Sequence, residues 1–309
     1  MILFYDTEKT RKVSFMRHLK VFGFFWVSLS STLQIALLTY PLNYSDFPKL
    51  TSGIRGTIMT SGIIYGYGII YFYMGFQIMN DRLMCMYIKK QQFNMLLFMV
   101  KTYLHYMIPV CYITVMILYV LPFIGDGPIF PKVIDDFFLN SCTSYWWTNV
   151  LLISNFVPWN VNDICAAHIS LISNEFQLVI LLIPLLGFVY KNYFRRALAS
   201  IFLIIGICGS FIPVIYMTIN KNIDGYPGFQ SDSYSDMLTK LYFRIPPFLI
   251  GVALAVFHFE YRYVDKLNDG SKPFHKDYLE RVTRNNMIFK FSCYAIGIAL
   301  FVTPILLLA

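Results

Sequence analysis

Long apolar stretches recur along the chain, with short polar segments between them. A helix needs about 20 apolar residues, at about 1.5 Å each, to cross roughly 30 Å of bilayer hydrocarbon. The pattern therefore predicts an all-α, polytopic integral membrane protein with about seven transmembrane helices, the third, fourth and sixth borrowing residues from their amphipathic flanks. The stretches are Val21–Tyr40, Thr57–Met79, Ile108–Phe123, Phe176–Tyr190, Ala197–Ile219, Phe248–Phe259 and Met287–Leu308.

Composition excludes an ordinary soluble globule. Hydrophobic residues make up 57% of the chain and charged residues 14%, against roughly 25% charged in an average soluble domain. A soluble core needs a polar shell, and this chain lacks the residues to build one. The basic first 20 residues are similar to the start of a signal peptide, but the following apolar stretch is too long and no small-residue cleavage site ends it. We interpret this stretch as a retained first helix.

The distribution of positive charge gives an orientation. Lys and Arg concentrate before the first apolar stretch and in segments 82–101, 191–196 and 262–284, whereas the alternate segments hold few. Cytoplasmic loops carry the excess of Lys and Arg, so the pattern predicts a cytoplasmic N-terminus. The basic loops fit orientation and attraction to anionic lipid headgroups. No nucleic-acid partner is expected, because the sequence offers no soluble basic face with aromatic platforms.

The longest predicted outer loop covers about Gly125–Ser173 and contains Trp146, Trp147 and Trp159. Tryptophan favours the headgroup level of a bilayer, so we expect this loop to lie on the membrane surface.

Two of the six cysteines, Cys142 and Cys165, fall in this outer loop. The others fall in predicted spans or on the cytoplasmic side, so only these two can meet in an oxidising compartment. We predict a disulfide between them, the alternative being two separate buried thiols. Asn43 opens an Asn-Tyr-Ser glycosylation sequon in another outer loop, too close to the membrane for us to favour its use. The remaining cysteines are Cys85, Cys111, Cys208 and Cys293.

Polar residues near membrane depth are the candidates for chemistry, since they are costly in hydrocarbon and often mark a pathway. Glu175, within Asn174–Gln177, opens the fourth span, where it is either a carboxylate that caps the helix or a substrate-facing group. Arg244 opens the sixth span before two prolines that suit a first helical turn. It is either a snorkelling interfacial anchor or a buried cation that holds a carboxylate or a polar headgroup.

Three histidines are candidate general bases, because histidine titrates near neutral pH. His105 and His258 lie near the cytoplasmic membrane depth, and His168 lies in the outer loop. Each is interpreted as a structural residue rather than a catalytic one. The sequence contains no P-loop, HExxH, GxSxG or CxxC motif, and we expect no bound metal.

Three segments together resemble the acyltransferase 3 group of membrane proteins, specifically the animal branch called nose-resistant-to-fluoxetine-like proteins. The first is Cys142 with residues 146–151 and 153–156, and the second runs from Cys165 through Asn-Glu-Phe-Gln at 174–177. The third and most specific is Tyr-Phe-Arg-Ile-Pro-Pro-Phe-Leu-Ile-Gly at 242–251. They follow the family order along most of the chain.

The resemblance implies one transmembrane domain over residues 1–309 that moves an acyl group from cytoplasmic acyl-CoA to a hydroxyl on a lipid, sterol or glycan. Acyl-CoA would be a co-substrate, with no bound cofactor. The substrate-binding positions would be Asn174, Glu175, Gln177 and Arg244.

Three departures from the family pattern predict loss of this chemistry. Ser31 stands where the family has its catalytic histidine, Lys20 where it has an arginine, and Tyr106 where it has a further arginine before Pro109. A serine hydroxyl cannot remove a proton without its own base, and a general base is worth about 10² to 10⁴ in rate. Lysine lacks the planar fork of arginine. The sequence thus predicts a pseudoenzyme that binds or transports lipids or other hydrophobic small molecules.

The chain stops inside an apolar run at residues 301–309. Family members carry about three more helices beyond this point, so we expect that the chain is truncated or that this member has shed them. The alternative function is an inverted seven-span chemoreceptor or ligand-gated channel. A conventional G-protein-coupled receptor is disfavoured because the charge pattern places the N-terminus inside.

Overall fold

A computed structural model describes the chain in ranges, and within them every regular element is a helix. The all-α prediction is confirmed for this part of the chain. The described residues are 14–38, 54–85, 94–125, 130, 134–135, 139–160, 163–189, 193–220 and 232–263. The helices are α1 (Ser14–Leu38), α2 (Ile54–Leu83), α3 (Met95–Val115), α4 (Leu121–Ile124), α5 (Asn140–Val150), α6 (Ser170–Val189), α7 (Tyr193–Asn220), α8 (Asp232–Thr239) and α9 (Ile245–Tyr263).

Two helical segments are long and apolar enough to cross a membrane among the residues described, namely Gly62–Leu83 in α2 and Leu96–Ile124. The second runs through α3, a π-helical turn at Met116–Val120 and α4 without a break. Only 17% of its most apolar stretch is buried, against 44% for Gly62–Leu83. Membrane association is therefore supported for two helices, and the total of about seven spans stays a prediction.

The predicted apolar stretches coincide with helices wherever the structure describes them. The third stretch lies in a helix that begins at Met95 rather than near Ile108, and the fourth and sixth lie in helices that begin at Ser170 and Ile245. These flanks are helical because a helix satisfies its own backbone hydrogen bonds whatever the polarity of its side chains. The seventh stretch, Met287–Leu308, lies outside the described residues.

The chain divides into two compact units. The first, Met1–Met74 with Lys272–Ala309, contains α1 and most of α2. Glycines bring these two helices together: a Cβ atom placed on Gly66 would lie 2.6 Å from Val27 Cγ2 and 3.1 Å from the carbonyl oxygen of Gly23. Small residues at such positions let helix backbones approach closely.

The second unit, Gly75–Ser271, holds the end of α2 and α3 to α9. Its core forms where residues of the predicted outer loop pack against α3. The Tyr103 hydroxyl donates to the Val150 carbonyl at 3.0 Å, and Leu121 packs against the same core. The described part of the loop therefore lies alongside the Leu96–Ile124 helix, where it contacts residues from Tyr103 to Leu121, and not beyond the C-terminal end of that helix. The buried core residues are Val110, Ile117, Cys142, Leu152, Cys165, Ala166 and Ile169.

Candidate functional site

The core of the second unit contains a disulfide between Cys142 of α5 and Cys165, with an S–S distance of 2.02 Å. Both cysteines are fully buried. The bond joins α5 to the turn that leads into α6. The predicted disulfide is therefore confirmed, and the alternative of two separate buried thiols is wrong. Among the described cysteines, Cys85, Cys111 and Cys208 are free thiols, and Cys293 lies outside the described residues.

Three amide side chains, Asn155, Asn174 and Gln177, form what we call the amide cluster. Asn155 Nδ2 donates to Asn174 Oδ1 at 2.7 Å and to Gln177 Oε1 at 2.8 Å. Gln177 Nε2 donates to Asn155 Oδ1 at 2.8 Å and to the Leu152 carbonyl at 2.9 Å. Asn174 and Gln177 share one face of α6 because residues three apart on a helix are neighbours. The structure thus brings two of the predicted substrate-binding residues together, through Asn155.

The amide cluster also connects to α8, which lies beyond α7 in the chain. Asn174 Nδ2 donates to the Thr239 carbonyl at 2.8 Å, at the C-terminal end of α8. Beside it, the hydroxyls of Ser154 and Ser173 lie 3.0 Å apart, and both serines are buried. Because buried polar groups are costly unless paired, these bonds fix the turn after α5 against α6 and α8.

A further buried amide, Asn149, lies where α5 meets α3. Its Nδ2 donates to the Cys165 carbonyl at 3.2 Å and to Thr114 Oγ1 at 3.4 Å. Its Oδ1 is buried and has no hydrogen-bond partner among the described residues. Asn149 therefore joins α3, α5 and the disulfide with its donor side only.

Arg244 is 2% exposed, which excludes the snorkelling anchor, since that role requires a charged head in water. Its guanidinium donates to the carbonyls of Met237 at 3.0 Å and Leu238 at 3.1 Å. Both carbonyls belong to the last turn of α8, where a cation is favoured by the helix dipole and can bond the terminal carbonyls. Arg244 is thus a buried cation, as in the second alternative, and its partners among the described residues include the carbonyls of a helix end. A carboxylate or headgroup partner stays a prediction.

Lys240 is a second buried cation, which the sequence analysis did not single out. Its Nζ donates to the Trp159 carbonyl at 2.6 Å and lies 4.0 Å from the centroid of the Trp159 ring. The sequence signal that could have identified it is its position four residues before Arg244, in a loop with few Lys or Arg residues. Burial and then the Asp236 carboxylate raise the pKa of nearby Tyr242 to about 12, so this phenol adds no charge to the α8–α9 junction at neutral pH.

The interpretation of Glu175 as a helix cap is wrong. Helix α6 begins at Ser170, and its first turn contains no acidic residue. Glu175 is half-buried in the second turn. The Tyr106 ring lies 6.2 Å from the ring of Phe176, so the structure places this predicted catalytic position against the Asn174–Gln177 segment.

The other two predicted catalytic positions belong to the first unit. The Ser31 hydroxyl donates to the Val27 carbonyl of its own helix at 2.7 Å. Lys20 Nζ lies 5.6 Å from the ring centroid of Phe24 and 5.2 Å from that of Tyr73, so two aromatic faces hold the ammonium. Asn43 lies outside the described residues.

The three histidines considered as general bases either pack against an aromatic ring or are exposed. His105 is exposed on α3 with its ring 5.6 Å from that of Tyr106. His258 packs on Phe76 at 5.7 Å, and His168 is exposed in the turn before α6. No group of three His, Cys, Asp or Glu side chains in the described ranges could hold a metal ion.

No protein-family model, curated protein or solved structure matches this chain. The described part of the chain defines a class by itself: its regular elements are all helices, two of these are of membrane length, and a hydrophobic core that contains a disulfide packs against one of the two. The acyltransferase 3 resemblance rests on the residues quoted for it.

Proposed function

We propose that the chain is a multi-pass integral membrane protein of about seven spans, with a cytoplasmic N-terminus and an acyltransferase-3-like fold. It resides in an endomembrane or the plasma membrane of a eukaryotic cell. Its function is to bind or move lipids or other hydrophobic small molecules, without the acyl transfer of the family it resembles.

The surface of the Leu96–Ile124 helix supports the membrane assignment. Its exposed apolar side chains recur at intervals of three or four residues, so that successive members are neighbours in a stripe that winds around the helix. Exposure reaches 74% at Leu96 and 85% at Phe123, near the two ends. A monomer in water does not present so long an apolar stripe, whereas lipid solvates it. The stripe comprises Leu96, Val100, Leu104, Ile108, Tyr112, Val115, Tyr119 and Phe123.

The hydrogen bond from Ser31 to the Val27 carbonyl carries the proposal that catalysis is lost. A general base must accept the proton of the acceptor hydroxyl, and a neutral serine hydroxyl is too weak a base to do so. The Ser31 proton is donated to the helix backbone, and not to a side chain that could act as a base and activate the hydroxyl. Lys20 and Tyr106 support the same conclusion. The first is engaged with aromatic rings, and the second offers a ring in place of a guanidinium fork.

An acyl-CoA turnover assay with lipid, sterol and glycan acceptors tests the loss. We expect no turnover by the native protein, and the same background from Ser31→Ala. The double variant Ser31→His with Lys20→Arg asks whether the site can be rebuilt, and Ser28→His, an exposed position of the same helix, is its matched control. Turnover by the native chain that survives Ser31→Ala would reject the loss of canonical catalysis.

Binding is tested separately. We expect protein purified in detergent to retain hydrophobic compounds detectable by mass spectrometry of the intact complex, and to exchange them with added fluorescent acyl lipids. Failure to retain or exchange any such compound would contradict the binding function. Ligand-evoked current through the protein in planar bilayers would instead favour the channel alternative.

A further inference from the structure

The segment from α5 into α6, residues 140–177, runs beside a helix long enough to cross the bilayer. Leu96–Ile124 has 29 residues, about 43 Å of helix at about 1.5 Å per residue. The segment meets it at Tyr103 through Val150 and at Thr114 through Asn149. These two positions on α3 are about 16 Å apart along its axis, and both lie inside the helix rather than at its ends.

The polar groups of this segment are largely satisfied from within. In α5, the Thr143 and Thr148 hydroxyls donate to carbonyls of their own helix. The turn that follows is held by the amide cluster and the paired serines. Irregular backbone at membrane depth is tolerated only when it is buried in protein or lines an aqueous cavity. Internal pairing of this kind meets the first condition.

Six exposed side chains of the segment are apolar or aromatic, and we call them the tryptophan face. Their exposure ranges from 37% at Val157 to 65% at Trp159, and none of them is charged. The segment also exposes polar side chains, among them Asp163. The segment that carries it packs against α3, whose own exposed side chains include the apolar stripe described above. The face consists of Trp146, Trp147, Leu151, Phe156, Val157 and Trp159.

We propose that the segment formed by residues 140–160 and 163–177 is a re-entrant element inserted in the bilayer beside α3, with the tryptophan face in contact with lipid acyl chains. The partner is lipid because the segment packs along a membrane-length helix and the side chains of this face are uncharged and apolar. The proposal rests on the membrane assignment above, and differs from a loop on the membrane surface in the depth of its tryptophans.

Tryptophan quenching in liposomes measures that depth. One variant keeps only Trp146 and Trp147, with Trp26→Phe and Trp159→Phe. A reference variant has all four tryptophans replaced by phenylalanine and carries Tyr112→Trp on the exposed stripe of α3. Both are reconstituted with phospholipids brominated near the headgroup or near the chain end, and both are titrated with acrylamide from the water. Circular dichroism and gel filtration select folded protein.

We expect chain-end bromine to quench Trp146 and Trp147 to within about two-fold of the reference tryptophan, and acrylamide to quench them weakly, because both probes would lie in the roughly 30 Å hydrocarbon layer. Quenching of the reference alone, or of Trp146 and Trp147 by headgroup bromine and acrylamide only, would overturn the re-entrant element and leave the membrane assignment standing. Absence of chain-end quenching from the reference as well would overturn the membrane assignment itself.

Discussion

The amide of Asn155 donates to Asn174 across 2.7 Å, although nineteen residues separate them in the sequence. Asn155 follows α5 and Asn174 lies in α6, so this bond closes the disulfide-bearing segment onto the helix that follows it. Asn174 passes the connection to α8 through the Thr239 carbonyl. A single buried asparagine thus determines how three elements of the second unit meet.

Asn174→Ala is therefore expected to destabilise the second unit. The substitution leaves an Asn155 donor and the Thr239 carbonyl unsatisfied in a buried site, at a cost of about 1–3 kcal/mol each. The midpoint of thermal unfolding in detergent, followed by tryptophan fluorescence, should fall clearly. Asn160→Ala is the control, because Asn160 is exposed. Equal midpoints for the two variants would contradict a structural role for the amide cluster.

Arg244 provides a second test, through Arg244→Lys and Arg244→Met. Met keeps much of the length and apolar stem but loses both bonds to the end of α8. It leaves two half-buried carbonyls without their donor, at a cost of up to about 1–3 kcal/mol each. Lysine keeps the charge near the helix C-terminus, worth about 0.3–1 kcal/mol, but not the planar fork. We expect unfolding midpoints in the order native, Arg244→Lys, Arg244→Met. The reverse order of the two variants would show that charge burial, rather than the carbonyl bonds, dominates at this site.

The disulfide between Cys142 and Cys165, separated by 23 residues, closes a loop whose removal should cost about 3 kcal/mol by chain entropy. Cys142→Ser with Cys165→Ser is expected to lower the unfolding midpoint. Reductant should lower the midpoint of the native protein and leave that of the double variant unchanged. Cys111→Ser, which removes a free thiol of α3, is the matched control. An unchanged midpoint in the double variant would mean that packing alone holds the segment.

The sequence predicts the helices well, because hydrophobic length is a local property. It also points to Asn174, Gln177 and Arg244 as buried or interfacial polar residues. It does not predict their hydrogen-bond partners. Asn155 and Thr239 are distant from Asn174 in the sequence, and a backbone carbonyl can accept a hydrogen bond whatever the residue type. The expected cap at Glu175 fails for a related reason, since α6 begins at Ser170, earlier than the apolar stretch. Local sequence patterns locate the helices, whereas the hydrogen-bond partners of a side chain depend on contacts between residues that are far apart in the sequence.

Two glycines of α2, Gly66 and Gly68, differ in how closely they approach α1. A methyl group on Gly66 would meet the Val27 side chain at 2.6 Å and the Gly23 carbonyl oxygen at 3.1 Å, and the latter is backbone that moves only if α1 moves. Gly68 has nothing within 4 Å of the same position. Gly66→Ala is therefore expected to destabilise by about 1–3 kcal/mol through overpacking. Gly68→Ala should stabilise by about 0.5–1 kcal/mol, because alanine loses less backbone entropy in a helix. Unfolding midpoints that shift in the same direction for both variants would show that α1 does not pack on α2 through Gly66.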